Sequence, residues 1–195
     1  MKLVFLGPPG AGKGTQAAVV SKEYRIPHLS TGDMLRSEVA AGSQLGASIA
    51  DDMQSGKLIG DETISSVVAH RIALPDAAAG FLLDGYPRTV GQADFLESLL
   101  GSAKLDLAIE LVVDPTILIE RIQRRAATAL AAGGAVRADD NIESLRKRLS
   151  IYQTQTAPLT EHYQRKGLLF RLNGDAPVSD LSHEIIRRLA LLRAW

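Results

Sequence analysis

The sequence predicts an α/β fold in which helices sandwich a five-stranded parallel sheet. Short apolar segments bounded by turn residues alternate along the chain with longer segments of helical periodicity. Two of the short segments, FLL at 81–83 and IELVV at 109–113, are almost continuously apolar. Strands of that kind are covered by helices on both faces of a sheet. The predicted class is therefore a doubly wound α/β domain.

The elements follow from this alternation in chain order. Five short apolar segments are predicted to be strands, at residues 3–6, 28–29, 81–83, 109–113 and 168–172. Eight longer periodic segments are predicted to be helices, at residues 12–24, 31–41, 45–55, 61–74, 90–100, 115–130, 140–164 and 178–192. The start of the seventh helix rests on Asp140, which is followed by Glu143 three residues later and so resembles a capping box.

The composition is that of one globular domain, which we expect to span residues 1–195. Hydrophobic residues make up 46% of the chain and charged residues 23%, which argues against intrinsic disorder. Because Lys plus Arg and Asp plus Glu are 22 each, we expect no general attraction to nucleic acid or to a membrane surface. The absence of cysteine excludes disulfides and thiolate zinc sites and fits a cytoplasmic location. The sequence shows no export signal and no membrane-spanning segment. No exposed apolar stripe demands a partner, so we expect a monomer.

The strongest chemical signal is GPPGAGKGT at residues 7–15, between the first predicted strand and the first predicted helix. Its glycines let backbone N–H groups turn toward an anion, the helix N-terminus adds partial positive charge, and Lys13 supplies an ammonium group. The segment predicts a triphosphate-binding loop. Gly14 follows the lysine, so the hydroxyl comes one position late, at Thr15. A purely steric turn explains Gly7 but not a lysine among four glycines.

Two carboxylates are candidates for a magnesium site. Asp84 ends an apolar strand, where a Walker-B-like carboxylate would hold the metal or its water shell. The alternative is a turn or cap residue before Gly85. Asp33 is a second candidate from the other side, although it is equally suited to cap the following helix.

Six arginines are also predicted to lie near the site. Arg121 and Arg125 are four residues apart and share one helix face, whereas Arg124 points elsewhere. The others expected near the site are Arg36, Arg88, Arg137 and Arg148. The alternative for any long basic side chain is a solvated helix surface.

Two connections are longer than a crossover requires, at residues 30–59 and 126–136. Such excursions in a compact domain are typically functional, and both are predicted to cover the site. The second contains no Cys, His, Asp or Glu, so we expect no structural zinc in it.

A series of motifs follows in order along the chain: GPPGAGKGTQ at 7–16, STGDMLR at 30–36, GKLI at 56–59, DGYPRT at 84–89, Gln92, Arg121, Arg125, RADDN at 137–141 and RKRL at 146–149. By these motifs the chain resembles the adenylate kinases over nearly its whole length. The resemblance implies reversible phosphoryl transfer from Mg·ATP to AMP to give two ADP, with Mg²⁺ as the cofactor and these nucleotides as the partners. It also implies that residues 30–59 form the AMP-side flap and residues 126–136 a short lid without zinc.

The resemblance also assigns residues. The ATP-binding residues it implies are Gly10, Ala11, Gly12, Lys13, Gly14, Thr15, Arg121, Arg125 and the backbone of Ala176. The AMP-binding residues it implies are Thr31, Arg36, Lys57, Leu58, Ile59, Gly85, Tyr86, Pro87, Arg88, Gln92, Arg137 and Arg148. The catalytic residues it implies are Lys13, Arg88, Arg125, Arg137 and Arg148, with Asp84 and Asp33 serving magnesium through water. Tyr86 is expected to stack on the nucleotide, and Gln92 to read the adenine edge.

The chemistry of the reaction fits this set. A phosphate acceptor is already ionised, so no general base is required, and the four histidines are scattered in the sequence. Three alternatives stay open: a sibling kinase for UMP, CMP or GMP, a P-loop switch protein, and a nonenzymatic nucleotide sensor. The absence of an Asn-Lys-x-Asp motif disfavours a GTP-dependent switch.

Overall fold

A computed structural model describes residues 1–133 and 140–193 of the chain. Its strands are β1 (Lys2–Leu6), β2 (His28–Ser30), β3 (Phe81–Asp84), β4 (Leu107–Val112) and β5 (Leu169–Asn173). They form one sheet in the order β2-β3-β1-β4-β5, and every neighbouring pair is parallel. The predicted fold class is confirmed, and the strand ends differ from the prediction by one or two residues.

The described helices cover both faces of this sheet. They are α1 (Lys13–Tyr24), α2 (Thr31–Ala40), α3 (Gln44–Gln54), α4 (Asp61–Ile72), α5 (Val90–Leu100), α6 (Pro115–Ala131), α7 (Ile142–Ile151), α8 (Pro158–Arg165) and α9 (Val178–Arg193). A short 3₁₀ turn, Pro75–Ala77, follows α4 and was not predicted. None of the helices in the described ranges is both long and apolar enough to cross a membrane.

The prediction of a single helix at 140–164 is wrong, because this segment forms three consecutive helical elements in the structure. After α7 the backbone forms a π-helix, Tyr152–Thr156, and α8 begins at Pro158. Proline has no N–H and its ring clashes with the preceding turn, so it fits the first turn of a helix and not the interior.

The predicted start of that region is also wrong by one residue. Asn141 is the N-cap of α7, and its Oδ1 accepts a hydrogen bond from the backbone N–H of Ser144 at 2.8 Å. The carboxylate of Asp140 instead forms an ion pair with Arg125. Both residue types cap helices well, so local sequence alone did not separate them.

Strand β1 shows how the sheet is buried on both faces. Leu3 and Phe5 belong to a core cluster that includes residues of α1 and α9, whereas Val4 and Leu6 belong to a second cluster with residues of α4, α5 and α8. All four side chains are at most 3% exposed. Complete burial of a side chain of this size contributes about 1.5–3 kcal/mol. The central strand therefore anchors both layers.

Parallel pairing places the carboxyl ends of all the strands at one edge. In the register, Asp84 at the end of β3 lies opposite Phe5 of β1 on one side and Ser30 of β2 on the other. Ligands of open α/β sheets bind outside this edge. The segments that follow β1, β2 and β3 are those in which the sequence places the site.

The two predicted covers are described to different extents. Residues 30–59 contain α2 and α3, in agreement with the two helical patterns predicted there. Of residues 126–136, the first six form the C-terminal end of α6, and Ala132 and Gly133 form a turn. The rest of that segment, together with Arg137, lies outside the described residues.

Candidate active site

A cleft of about 920 Å³ opens at the carboxyl edge of the sheet. It is lined by the segments after β1, β2, β3 and β5, by the end of the 30–59 segment, and by α6 and α7. This volume lies toward the upper end of the range for small-molecule sites. The cleft borders nearly all the predicted site residues.

The loop between β1 and α1 forms the floor of the cleft. Gly12 is the N-cap of α1 with φ of 94°, a left-handed conformation that side chains other than glycine adopt at a cost. At Gly7, with φ of 136°, a Cβ atom would lie only 2.7 Å from the carbonyl oxygen of Leu111. The path of the loop therefore requires glycine at position 7 and favours it at position 12, and the loop leads into a helix N-terminus as predicted.

Lys13 lies in this loop and bonds to its backbone. Its Nζ donates to the carbonyl oxygens of Gly7 at 2.8 Å and Pro8 at 2.9 Å. Burial lowers the pKa of Lys13 to about 8, and the nearby carboxylate of Asp84 only partly opposes that shift. An anion in the loop would favour the charged ammonium and replace the carbonyl contacts.

Asp84 stands next to the loop and is held by a histidine. The Nε2 atom of His28 lies 3.3 Å from Asp84 Oδ2, and the Thr31 hydroxyl donates to the backbone oxygen of Asp84 at 3.2 Å. Burial would raise the pKa of Asp84, but the hydrogen bond from His28 and the charge of Lys13 hold it below its ordinary value. The carboxylate is ionised, as a magnesium ligand must be.

The contact between His28 and Asp84 was not predicted, since the histidines were considered scattered. It joins adjacent strands, because Ser30 pairs with Asp84 in the register of β2 and β3. Only the strand order reveals it, and the sequence separation is 56 residues.

Asp33, the second predicted magnesium residue, is more exposed. Its carboxylate pairs with Arg36 in the same helix, and its backbone N–H donates to Ser30 Oγ at 3.3 Å. Ser30 is therefore the cap of α2, and the alternative that Asp33 caps this helix is wrong. Asp33 and Arg36 both line the cleft.

Arg121 and Arg125 of α6 line the cleft, as their spacing predicts, but the prediction that Arg124 points elsewhere is wrong, because Arg124 lines the cleft as well. Thr128 and Ala129 also line it, so the cleft borders a broader strip of α6 than one row of residues four apart.

Arg121 donates to the carbonyl oxygens of Ala11 at 3.3 Å and Gly174 at 2.8 Å, so it joins the phosphate loop to the segment after β5. Arg125 Nε donates to Asp140 Oδ2 at 2.9 Å, and a second bond completes a two-pronged ion pair.

Arg88 and Arg148 bring positive charge from the opposite side. Arg88 Nε donates to the carbonyl oxygen of Gly85 at 2.8 Å. The charges of Arg88, Arg148 and Arg125 all act to lower the pKa of Lys13. Four cationic side chains from different elements therefore surround the same part of the cleft.

The predicted acceptor side is mostly assembled at the cleft. The members of the predicted set that line it are Thr31, Arg36, Lys57, Leu58, Ile59, Gly85, Pro87, Arg88, Gln92 and Arg148. Lys57 also forms an ion pair with Asp52 at 3.1 Å. On the other side the lining includes all six predicted loop residues and Ala176, whose backbone N–H donates to the backbone oxygen of Asn173 at 3.2 Å.

The prediction that Tyr86 stacks on the nucleotide is wrong. Its side chain is 0% exposed, belongs to the core beneath the cleft and is absent from the cleft lining. Its hydroxyl group lies 2.9 Å from Ser65 Oγ and donates to the backbone oxygen of Gln92 at 3.2 Å. The ring therefore supports the acceptor side from below, because a half-polar aromatic side chain can bury its ring while its hydroxyl bonds within the core.

Gln92 lines the cleft but is only 2% exposed, and both ends of its amide have protein partners. Oε1 accepts the backbone N–H of Arg88 at 2.7 Å, and Nε2 donates to Asp61 Oδ1 at 2.7 Å. The contact with Asp61 was not predicted. No sequence signal points to it, because the partners are 31 residues apart.

One further polar group lies away from the cleft. Asp94, Glu97 and His162 place one ligand atom each within 4.8 Å of one another, and no other such group of metal-ligating residues is found among residues 1–133 and 140–193. Glu97 also pairs with the Lys166 ammonium, a cation that competes with any metal. The predicted Asp84 and Asp33 are not part of this group.

Cations on both sides of a phosphate-binding loop can neutralise two phosphate groups that are held close together. The fold and the cleft therefore define a P-loop kinase of small phosphorylated substrates. The model of the family described as adenylate kinase matches residues 5–168. The chain is 50% identical over 192 residues to an adenylate kinase of Sinorhizobium medicae, with 97% of this chain and 100% of the relative covered. It is also 50% identical over 191 residues to an adenylate kinase of Brucella ovis, with 97% and 98% covered.

The chain belongs to the adenylate kinase family. Its activity is the reversible transfer of a phosphoryl group from ATP to AMP, which places it among the nucleotide-binding transferases of nucleotide biosynthesis. The resemblance seen in the sequence is confirmed.

Proposed function

We propose that the cleft binds ATP over the loop after β1 and AMP on the side of β2 and β3, with the transferring group between them. The observation that carries this division is the ring of Lys13, Arg88, Arg125 and Arg148 around one part of the cleft. A phosphate monoester carries roughly −1.5 to −2 charges at neutral pH, so two phosphates repel each other strongly. Neutralising that repulsion is the task of these cations.

Each cation has a separate duty in this proposal. Lys13 leaves its loop carbonyls for the outer phosphates of ATP, and Arg121 and Arg125 hold the same nucleotide from α6. Arg36, Arg88 and Arg148, with Arg137 outside the described residues, hold the AMP phosphate. The attacking oxygen is already ionised, so the residues align and neutralise and need not remove a proton.

We propose that magnesium is held by Asp84 and, more weakly, by Asp33. The Asp84 carboxylate is ionised, and its Oδ2 lies beside Gly14, since a Cβ built on Gly14 would be 3.4 Å from it. An ionised oxygen donor next to the phosphate loop suits a hard cation. Magnesium bound with ATP would neutralise phosphate charge, and Asp84 would hold it through water. The absence of structural zinc stays a prediction.

Closure over both nucleotides excludes water, which would otherwise be a competing acceptor. We assign this task to residues 30–59 as the AMP-side flap and 126–136 as the lid of a single domain. The cytoplasmic location and the monomeric state predicted from the sequence also stay predictions.

A coupled assay with Mg·ATP and each nucleoside monophosphate in turn tests the proposal. We expect AMP to give the highest kcat/KM by far, and Lys13→Met to abolish turnover. Preference for UMP, CMP or GMP would instead identify a sibling kinase. ATP binding without turnover of any monophosphate would identify a sensor.

A further inference from the structure

A carboxylate outside the predicted site holds the amide of Gln92. Asp61 Oδ1 accepts from Gln92 Nε2 at 2.7 Å, and Asp61 Oδ2 accepts from the Thr89 hydroxyl at 2.8 Å. Gln92 Oε1 accepts the backbone N–H of Arg88 at 2.7 Å. We propose that Asp61 is a positioning residue that sets base specificity by fixing which end of the Gln92 amide donates. This inference rests on the proposed function, in which AMP occupies this side of the cleft.

The two partners of Gln92 oppose rotation of its amide. A half-turn about the last side-chain bond exchanges the oxygen and the NH₂ group with almost no change of shape. In the rotated form, the Gln92 oxygen would face the Asp61 carboxylate, which only accepts, and the NH₂ group would face the Arg88 N–H, which only donates. Both hydrogen bonds would become repulsive contacts. Gln92 is only 2% exposed, whereas Asp61 is exposed, so in the rotated form water would solvate the carboxylate and the Gln92 amide would lose its partners.

The fixed amide keeps one donor and one acceptor for a ligand. A primary amide has two N–H groups and two lone pairs on its oxygen. Among the described residues, Asp61 takes one N–H and the Arg88 backbone takes one lone pair. Adenine offers an acceptor at N1 and a donor at its amino group, whereas hypoxanthine offers a donor at N1 and an acceptor at O6. A fixed amide serves one of these edges, and an amide free to rotate serves either.

Asp61→Asn tests the proposal, with Glu62→Gln as its matched control. Both residues stand in the first turn of α4, so each variant removes one negative charge from the same helix terminus. Within residues 1–133 and 140–193, Glu62 has no hydrogen bond or ion pair from its side chain. The new amide in Asp61→Asn can turn its oxygen toward the NH₂ group of Gln92 or its NH₂ group toward the oxygen of the rotated form. The variant therefore removes one of the two repulsive contacts that oppose rotation and leaves the one with the Arg88 N–H. The volume of the side chain is nearly unchanged.

The readout is the ratio of kcat/KM for AMP to kcat/KM for IMP at saturating Mg·ATP. We expect Asp61→Asn to lower this ratio by about tenfold, chiefly through a higher KM for AMP and a lower KM for IMP. Glu62→Gln should stay within about twofold of the wild type. Structural damage lowers both activities together and leaves the ratio unchanged. An unchanged ratio in Asp61→Asn therefore overturns the inference.

A double-mutant cycle with Gln92→Ala separates action through Gln92 from a direct effect. In the Gln92→Ala background, Asp61→Asn should not change the ratio further. A further change of similar size would show that Asp61 does not act through Gln92. If the wild type turns over no AMP, the proposed function itself fails. If the wild type prefers AMP and Asp61→Asn retains the ratio, only this inference fails.

A measurement on the wild-type protein tests the inference even if the Asp61→Asn variant does not fold. The two side-chain N–H signals of Gln92 in ¹⁵N NMR spectra should be widely separated, because one hydrogen donates to a carboxylate. The separation should persist when AMP binds. A pair at the positions of a freely solvated amide, or one whose two hydrogens interchange rapidly, would contradict a fixed orientation.

Discussion

Because we propose that Lys13 binds ATP, we expect ATP binding to depend on pH. Burial lowers the pKa of Lys13 to about 8, so in the free protein the ammonium is present below that pH and is lost above it. A bound triphosphate favours the ammonium and raises the pKa. ATP binding should therefore weaken as the pH rises above 8, and at about pH 9 binding should take up a proton that is already present at pH 7.

Calorimetry in buffers of different ionisation enthalpy measures this proton uptake. Lys13→Arg is the control, because a guanidinium keeps its charge throughout this range and should show no uptake. At about pH 9 ATP itself is fully ionised and contributes no proton. Equal proton uptake in the wild type and in Lys13→Arg would show that another group titrates.

How far the sequence predicts a residue's role depends on where its partners lie in the chain. The phosphate loop was predictable because its glycines and Lys13 are contiguous, and the Arg121 and Arg125 pair because helical spacing fixes a common face. The contacts of His28 with Asp84 and of Asp61 with Gln92 depend on packing between distant segments. Tyr86 was misplaced for the same reason, since a motif does not tell which of its side chains points into the core.

The π-helix Tyr152–Thr156 links two parts of the acceptor side. It continues α7, which carries Arg148, and the hydroxyl of Thr156 donates to the backbone oxygen of Arg88 at 2.8 Å. Such one-turn widenings of a helix are often found at functional sites. This segment therefore connects Arg88 and Arg148, two of the arginines that we propose hold the AMP phosphate.

Thr156→Val should loosen that connection while keeping the side-chain shape. Loss of this part-buried hydrogen bond should lower the free energy of unfolding by about 1–2 kcal/mol. The KM for AMP should rise a few-fold, since Arg88 is less well held. Urea denaturation and steady-state kinetics measure the two effects.

The matched control is Thr154→Val in the same segment. Thr154 is exposed, and its hydroxyl bonds only locally, to the carbonyl oxygens of Ser150 and Ile151. The free energy of unfolding of the Thr154→Val variant should differ from that of the wild type by no more than about 0.5 kcal/mol, and its KM for AMP should be unaltered. An equal rise in the KM for AMP in both variants would contradict a specific role of Thr156.

Elements were predictable in type but not always in extent. Apolar segments of strand length and periodic segments of helix length gave β1 to β5 and most helices within two residues. The segment 140–164 has helical periodicity throughout, so only Pro158 marks the break. Wide turns of the π type keep most of the hydrogen bonding of a helix and leave no distinct pattern in sequence.

The whole molecule is expected to hold two nucleotides at once. A mimic that joins two adenosines through five phosphates should bind far more tightly than ATP, because one molecule then occupies both halves of the cleft. Calorimetry should give a stoichiometry of one, and the melting temperature should rise with mimic concentration more steeply than with ATP.

Arg88→Ala distinguishes occupation of both halves from binding in one. This substitution should strongly weaken binding of the mimic and hardly affect binding of ATP, because we propose that Arg88 lies on the AMP side of the cleft. Similar affinities of the wild-type protein for the mimic and for ATP would contradict a two-nucleotide cleft.

The strand order β2-β3-β1-β4-β5 divides the cleft into two sides that are formed by different segments. Segments after β2 and β3, with α4, border one of them, and segments after β1 and β5, with α6, border the other. If the first side holds the acceptor and the second holds ATP, as we propose, substitutions that suit a different acceptor base can accumulate on the first side without disturbing the contacts with ATP on the second. An ancestral chain of this architecture could thus diversify its choice of monophosphate while its handling of ATP stayed unchanged.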